Sequence, residues 1–504
     1  MKTGRSQPRV PTSRIRDLNE LPPRREGRYV LYWMTANRRR RRNFALQHAV
    51  DLAREQGRPL LILEALRVDH PHACRRFHRF VMDGMIDNRR DLEGPGLHYY
   101  PYVEREPGAG RGLLAALAED ATLVVADDWP AFFLPKALRA AAEQVGCRMQ
   151  AVDSVGVLPF RAAGRDFATA ALFRRWLQKQ LPQALEEAPL PDPLTAPAWA
   201  ESALPRRGLP KRFRPATVEE LGSRAFLQGL PIDATVGEVE RIRGGAVAAR
   251  QALERFLDQG LPRYLEERND PGAEATSGLS PWLHFGHLAT HEVLAALLGR
   301  EGWSMQKIAP KPTGKREGFW GASPAAEAFI DQLVTWRELG FASAAALPDP
   351  QAYESLPGWA RATLENHAGD RRETVYSFAD LDNGRTHDEV WNAAQNQLRV
   401  EGRIPNYLRM LWGKKIIEWS PSPRAALEIL FRLNDRYALD GRDPNSTSGI
   451  LWCLGRYDRP FFPERPVFGT VRWMSTANTR RKLDLDDWLD RHGSASERLP
   501  YADP

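Results

Sequence analysis

Short, nearly continuous apolar runs mark the first part of the chain. Arg28–Met34 (RYVLYWM), Pro59–Leu66 (PLLILEAL), Leu97–Tyr102, Ala121–Ala126 (ATLVVA) and Cys147–Val152 each predict a strand buried on both faces. Helical stretches lie between them, at Asn43–Gln56, Gly112–Glu119 and Pro135–Gln144. Strands that alternate with helices predict a parallel, Rossmann-like α/β sheet domain over 27–165. Residues 1–26 are basic and proline-containing and are expected to form a mobile lead. From about 236 the period changes. Val236–Gln259, His287–Leu298, Ala325–Leu339, His387–Arg399, Asn406–Glu418 and Pro423–Arg436 read as helices broken by Gly and Pro. A larger all-α domain is therefore expected over 236–490, with a tail at 491–504. The stretch 166–235, which includes LPDPLTAPAWAESALPRRGLPKRFRP, is rich in Pro, Ala and charge and reads as a surface connector.

Composition narrows the class. A chain of 504 residues is long enough for two domains. Its 71 basic against 64 acidic residues give a net charge of +7, which permits a polyanionic partner without requiring one. Cys74, Cys147 and Cys453 form no C-x-x-C pair, so neither a disulfide framework, a zinc ribbon nor a four-cysteine iron–sulfur cluster is expected. Sparse cysteine fits a reducing, cytoplasmic setting. No run of about 18 apolar residues is present to span a membrane, and the N-terminus lacks a secretory pattern.

Tryptophan is abundant, at 15 residues. Trp412 and Trp419 stand seven residues apart in NYLRMLWGKKIIEW, on one face of a helix and about 10 Å apart along it. Trp391 opens the preceding helix in VWNAAQ. Three indoles so placed suit an electron relay, although on periodicity alone the spacing is first that of a core stripe.

The order of motifs is more specific. VWNAAQ, LRMLWGKKIIEW, LNDRYALDGRDPNSTSGILWCLG and ERPVFGTVRWM, together with SGLSPWLHFG at 277–286 and YWMTANRRRRRNFAL at 32–46, follow one another through most of the chain. In this set the chain resembles the class II cyclobutane pyrimidine dimer photolyases of the photolyase/cryptochrome superfamily. The resemblance implies the photolyase fold, with FAD bound by the helical domain and an antenna chromophore, often a deazaflavin, in the first domain. It implies a monomer acting on DNA that carries UV-induced pyrimidine dimers, with no metal required.

The resemblance also implies roles. Trp412, Trp391 and Trp419 match the tryptophan triad, Trp412 being nearest the flavin. Tyr264, Thr276, Ser277, Gly278, Leu279 and Ser280 match FAD contacts. The hydroxyls and the glycine of TSGLSP suit phosphate ahead of a helix start, although such a string also makes an ordinary N-cap. Arg409 and Asp440 match an ion pair beside the isoalloxazine ring. Asn434 matches the amide facing flavin N5, a group able either to donate or to accept. Trp336 and Trp452 match the aromatic walls of a pocket for the flipped dimer, with Met410 beside them. Arg472 matches a residue that fills the gap left in the duplex, and Arg268 matches a DNA contact. Taken singly, either arginine also reads as a solvated charge.

The chain departs from the pattern in the STSG after Asn445, in Val400–Asn406 (VEGRIPN), and above all at one position. Where the family places a glutamate against the lesion carbonyl, this chain has Gln332, in Asp331-Gln332-Leu333-Val334-Thr335-Trp336-Arg337-Glu338-Leu339. Glutamine donates a hydrogen bond but supplies neither proton nor charge. A shift by one residue puts Asp331 in that role at the expense of the spacing to Trp336. The departure leaves a cryptochrome-like photoreceptor, or repair of another lesion, as the alternative. The run Arg38–Arg42 is expected to be a solvated face or a phosphate contact.

Overall fold

The computed structural model describes residues 9–195 and 209–493. Six strands form one sheet: β1 (Ile15–Asp17), β2 (Tyr29–Met34), β3 (Leu60–Leu66), β4 (Leu97–Val103), β5 (Ala121–Asp127) and β6 (Arg148–Val152), in the order β1-β6-β5-β2-β3-β4. β2 to β6 are parallel, as their apolar runs predict; all seven residues of β5 are buried. Helices α1 (Phe44–Glu55), α2 (Arg75–Asp91), α3 (Leu113–Ala118) and α4 (Leu134–Gln144) alternate with them.

Two expectations fail here. The lead is not free over its described part: β1 pairs antiparallel with β6, Ile15 opposite Val152, so the sheet is mixed at that edge. Buried Arg14 anchors this segment by donating to the carbonyls of Gly156 and Val157, at 3.2 and 2.6 Å. The connector is not wholly irregular either. It contains α5 (Ala170–Glu186), capped by Thr169, whose buried Arg174 pairs with Asp331 at 2.7 Å. The tail at 491–504 falls mostly outside the described residues, and Arg491 and His492 belong to the Asp486–His492 helix.

The remainder is helical. The run expected over Val236–Gln259 is helical only from Ala246, ending in a widened turn at Phe256–Gly260. Helices Glu389–Glu401, Asn406–Trp419 and Pro423–Tyr437 match the periodicity closely, and Pro444–Cys453 adds a helix that the periodicity did not predict. One apolar core joins them to α5 and also to Cys74, Phe77 and Phe80 at the start of α2.

Buried charges lock the sheet to the helices. Asp127, at the end of β5, accepts from the Tyr32 hydroxyl and from the backbone N–H groups of Thr35, Ala36 and Asn37 at 2.7–2.9 Å. This fixes the loop after β2. Arg39 on that loop is 2% exposed and donates to the carbonyls of Gly286 and Ser154, at 3.1 and 2.8 Å. Gly286 has φ +74°, and a Cβ there would lie 1.8 Å from the Ala36 carbonyl oxygen, so only glycine permits the approach. The Arg38–Arg42 run is thus neither a solvated face nor an open phosphate site. Arg38 lies 3.5 Å from Glu64, Arg40 pairs with Asp192 at 2.6 Å, and Arg41 alone of the five is exposed. From α2, buried Arg76 donates to the carbonyls of Leu398, Arg399 and Tyr437, at the ends of two helices where a cation is favoured.

Candidate active site

The three tryptophans form one line. Trp391 stacks on Trp412 with ring planes 2° apart and centroids 6.5 Å apart, and Trp419 meets Trp391 edge-on at 5.6 Å. Hydrogen bonds fix the rings. The Trp391 indole N–H donates to the Trp412 carbonyl at 3.0 Å, and that of Trp412 donates to the Gln395 amide oxygen at 2.9 Å. All three indoles are buried, so Trp419 itself does not reach solvent. Tyr376 and exposed His387 each pack against Trp419 at 5.3 Å and bond to one another at 2.5 Å.

Trp412 sits on the Asn406–Trp419 helix, and three residues earlier Arg409 meets Asp440 at 3.3 Å. Burial alone would raise the Asp440 carboxyl. The Arg409 guanidinium and the Ser280 hydroxyl outweigh it and hold the group below the ordinary carboxylate range. Ser280 of the TSGLSP loop is therefore brought to the Arg409–Asp440 pair. In that loop Gly278 adopts φ +60°, Thr276 is exposed, and Ser277 and Ser280 are half-buried. Leu279, by contrast, is in the core. Asn434 is buried nearby in sequence, its amide nitrogen donating to Asp435 and Ser446, each at 2.9 Å. Tyr264 is buried against Phe256 and Phe329, with Arg268 over its ring at 5.5 Å. Arg268 is thus not a free solvated charge.

Gln332 lies in a turn of π-helix, Asp331–Trp336, between the helices Pro324–Ile330 and Arg337–Ala346. The Arg337 N–H closes it by donating to the Gln332 carbonyl. Such wide turns re-aim side chains and are frequent at functional sites. Only Gln332 and Trp336 of the turn are half-exposed, while Asp331 is buried against Arg174. Asp331 is therefore committed elsewhere, and the glutamine is the side chain presented beside Trp336. Met410 and Trp452 are likewise half-buried. Arg472 pairs with Asp458 at 3.0 Å and stands over the rings of Trp452 and Phe461, at 5.6 and 4.1 Å.

No family model matches the chain. Curated relatives do. A Methanothermobacter thermautotrophicus protein named deoxyribodipyrimidine photo-lyase is 31% identical over 483 residues, covering 96% of this chain and 98% of its own. The chain belongs to the photolyase family. A protein of the same name from Oryza sativa subsp. japonica is 33% identical and covers 92% of this chain and 87% of its own. The crystal structure of a bacterial class III photolyase from Agrobacterium tumefaciens matches with a TM-score of 0.63 over 92% of this chain and 86% of that one, at 20% identity, which shows the photolyase fold.

Several residues of this photolyase were not singled out from sequence. Gln395 was visible in VWNAAQ, but its service to the Trp412 indole appears only when two helices are packed. Tyr376 and His387 lie 43 and 32 residues before Trp419 and carry no spacing signal. Lys414 stands in LRMLWGKKIIEW with no local sign of burial, and it is buried. Among the described residues no group of His, Cys, Asp or Glu is placed to hold a metal ion, and no helix is long and apolar enough to cross a membrane.

Proposed function

We propose that this chain repairs cyclobutane pyrimidine dimers in DNA by light, as a class II-type photolyase that binds FAD. The observation that carries the reading is the line Trp419–Trp391–Trp412 running into the Arg409–Asp440–Ser280 cluster.

The donor set suits FAD. Arg409 meets Asp440 through one nitrogen, which leaves further N–H donors on its guanidinium for an anionic ring. Hydroxyls of Thr276, Ser277 and Ser280, with the close backbone at Gly278, suit ribityl and phosphate oxygens. Bound and reduced, FAD supplies an electron on illumination.

The protein's own work is positioning and electrostatics. Asn434 commits its amide nitrogen to Asp435 and Ser446, so its oxygen is the atom offered to a protonated ring nitrogen. Trp336 and Trp452 provide flat apolar surfaces for a flipped dimer, and Gln332 offers an amide N–H to its carbonyl edge. Arg472, beside the Trp452 ring, suits the cavity left in the duplex. The tryptophan line carries electrons inward to restore the reduced state of the cofactor.

The decisive experiment is repair of an oligonucleotide carrying one cyclobutane thymine dimer by the purified, photoreduced protein, in blue light and in darkness. Restoration in light alone is the expected result. No restoration by a protein whose flavin is present and reducible would overturn the reading.

A further inference from the structure

Lys414 is among the largest fully buried side chains, at 1% exposure. Among the described residues, no carboxylate lies within ion-pair distance of its ammonium. Nζ instead donates to the carbonyl of Cys453, the last residue of the Pro444–Cys453 helix, at 2.5 Å, and stands 5.3 Å from the centroid of Trp452. Arg472 lies 5.6 Å from the same ring and is held there by Asp458. One indole thus carries two cations. The titratable and charged groups facing Lys414 are the buried Cys453 thiol, Asp458 and Arg472.

Burying an ammonium is costly, and a methionine fills the same space without that cost. Filling space therefore does not account for the charge. The helix C-terminus and the indole face each favour a cation, but neither requires one.

We infer that Lys414 sets a positive potential beside Trp452 that stabilises an electron placed on a lesion seated against that indole. The inference rests on the repair reading above. Lys414 acts through Trp452 and is a positioning residue. The electron comes from the reduced flavin, adds to the dimer, and returns after both cyclobutane bonds have broken. Lys414 forms no bond in this sequence and keeps its proton throughout. Burial lowers the ammonium pKa to about 8, so the charge is present below that pH and lost above it.

The test uses the flavin-loaded full chain and a duplex with one cyclobutane thymine dimer, at saturating lesion. Transient absorption gives the forward electron-transfer rate, and product analysis gives repair per absorbed photon. For a charge one stacked ring away from the lesion at an effective dielectric constant of about 20, with about half of the lost Coulomb stabilisation appearing in the barrier, Lys414→Met is expected to slow forward transfer by about fivefold. Lys414→Arg should keep the native rate. Photoreduction through Trp412 should be unchanged in both, as should lesion affinity to within about threefold. A native rate in Lys414→Met overturns the inference, as does an equal loss in Lys414→Arg, which would indicate packing. Should Lys414→Met fail to fold, the native protein and Lys414→Arg decide it. Native repair per bound lesion should fall as pH rises through about 8, while the arginine variant stays level; a level native profile overturns the inference. Native protein that repairs nothing in light overturns the repair reading as well, whereas native repair with an unaffected Lys414→Met overturns the inference alone.

Discussion

Trp391 lies flat on Trp412, 2° from parallel, and returns a hydrogen bond from its indole to the Trp412 backbone carbonyl. Ring and backbone contacts together hold the pair in one geometry. With Trp419 edge-on to Trp391, the helices Glu389–Glu401 and Asn406–Trp419 form a single aromatic path.

Breaking the middle of that path should stop photoreduction without stopping repair. Trp391→Phe is expected to slow blue-light reduction of oxidised flavin at least about tenfold in the presence of an external donor. The same variant, reduced chemically in the dark, should repair at close to the native rate. Bleaching of the flavin band against time checks the first expectation, and a single-turnover repair assay the second.

Gln332→Ala should lower repair per bound dimer, because the lesion carbonyl loses its amide donor at a cost of about 1 kcal/mol, or roughly fivefold. Gln332→Glu should repair well at low pH, where the carboxyl is protonated and donates, and lose efficiency as pH rises. Native Gln332 should not contribute such a pH dependence. Yields across pH 5–8 for the three proteins check this.

Arg39→Ala should cost about 3–5 kcal/mol, because three buried acceptors, the Asn37 side chain and the Gly286 and Ser154 carbonyls, lose one guanidinium. Arg39→Lys should restore little, since an ammonium does not reproduce the planar fork. Urea denaturation followed by near-UV circular dichroism provides the measurement.

Glu338 gives a pH effect with a defined sign. Its buried carboxyl accepts from the N–H groups of Val157 and Leu158, yet burial pushes its pKa up to about 7. The unfolded value is about 4.3. The folded state therefore binds the proton more tightly, and the stability this group contributes is full at low pH and lost as pH rises to about 7. Stability of the native protein minus that of Glu338→Gln should fall from pH 5 to 7.5 and level off beyond. Denaturant midpoints at each pH check it.

The parallel strands were legible because burial on both faces demands uninterrupted apolar residues, and the long C-terminal helices because one buried face imposes a 3.6 period. α2 was missed because its run RRFHRFVMDGMIDNRRD is thick with arginine, and nothing local shows that Arg76 finds its acceptors more than 300 residues away. α5 was absorbed into the connector, its proline at 182 and its polar face hiding a helix that Arg174 holds in the core. Arg39 follows the same rule: charge density is visible in a sequence and solvation is not. At the site, the motif strings single out Trp391, Trp412, Arg409 and Asp440, and the structure brings the first two into a stack and the last two into an ion pair. Tyr376, His387 and Lys414 depend on packing between segments and left no periodic trace.

The anchoring of Arg76 has a consequence for modularity. Its guanidinium leaves the sheet half of the molecule and closes the ends of the two helices that carry Trp391 and Asn434. The halves are therefore not cassettes. A graft that exchanged one sheet domain for another without an arginine at this point would uncap both helices at once, the helix of Trp391 and the helix of Asn434.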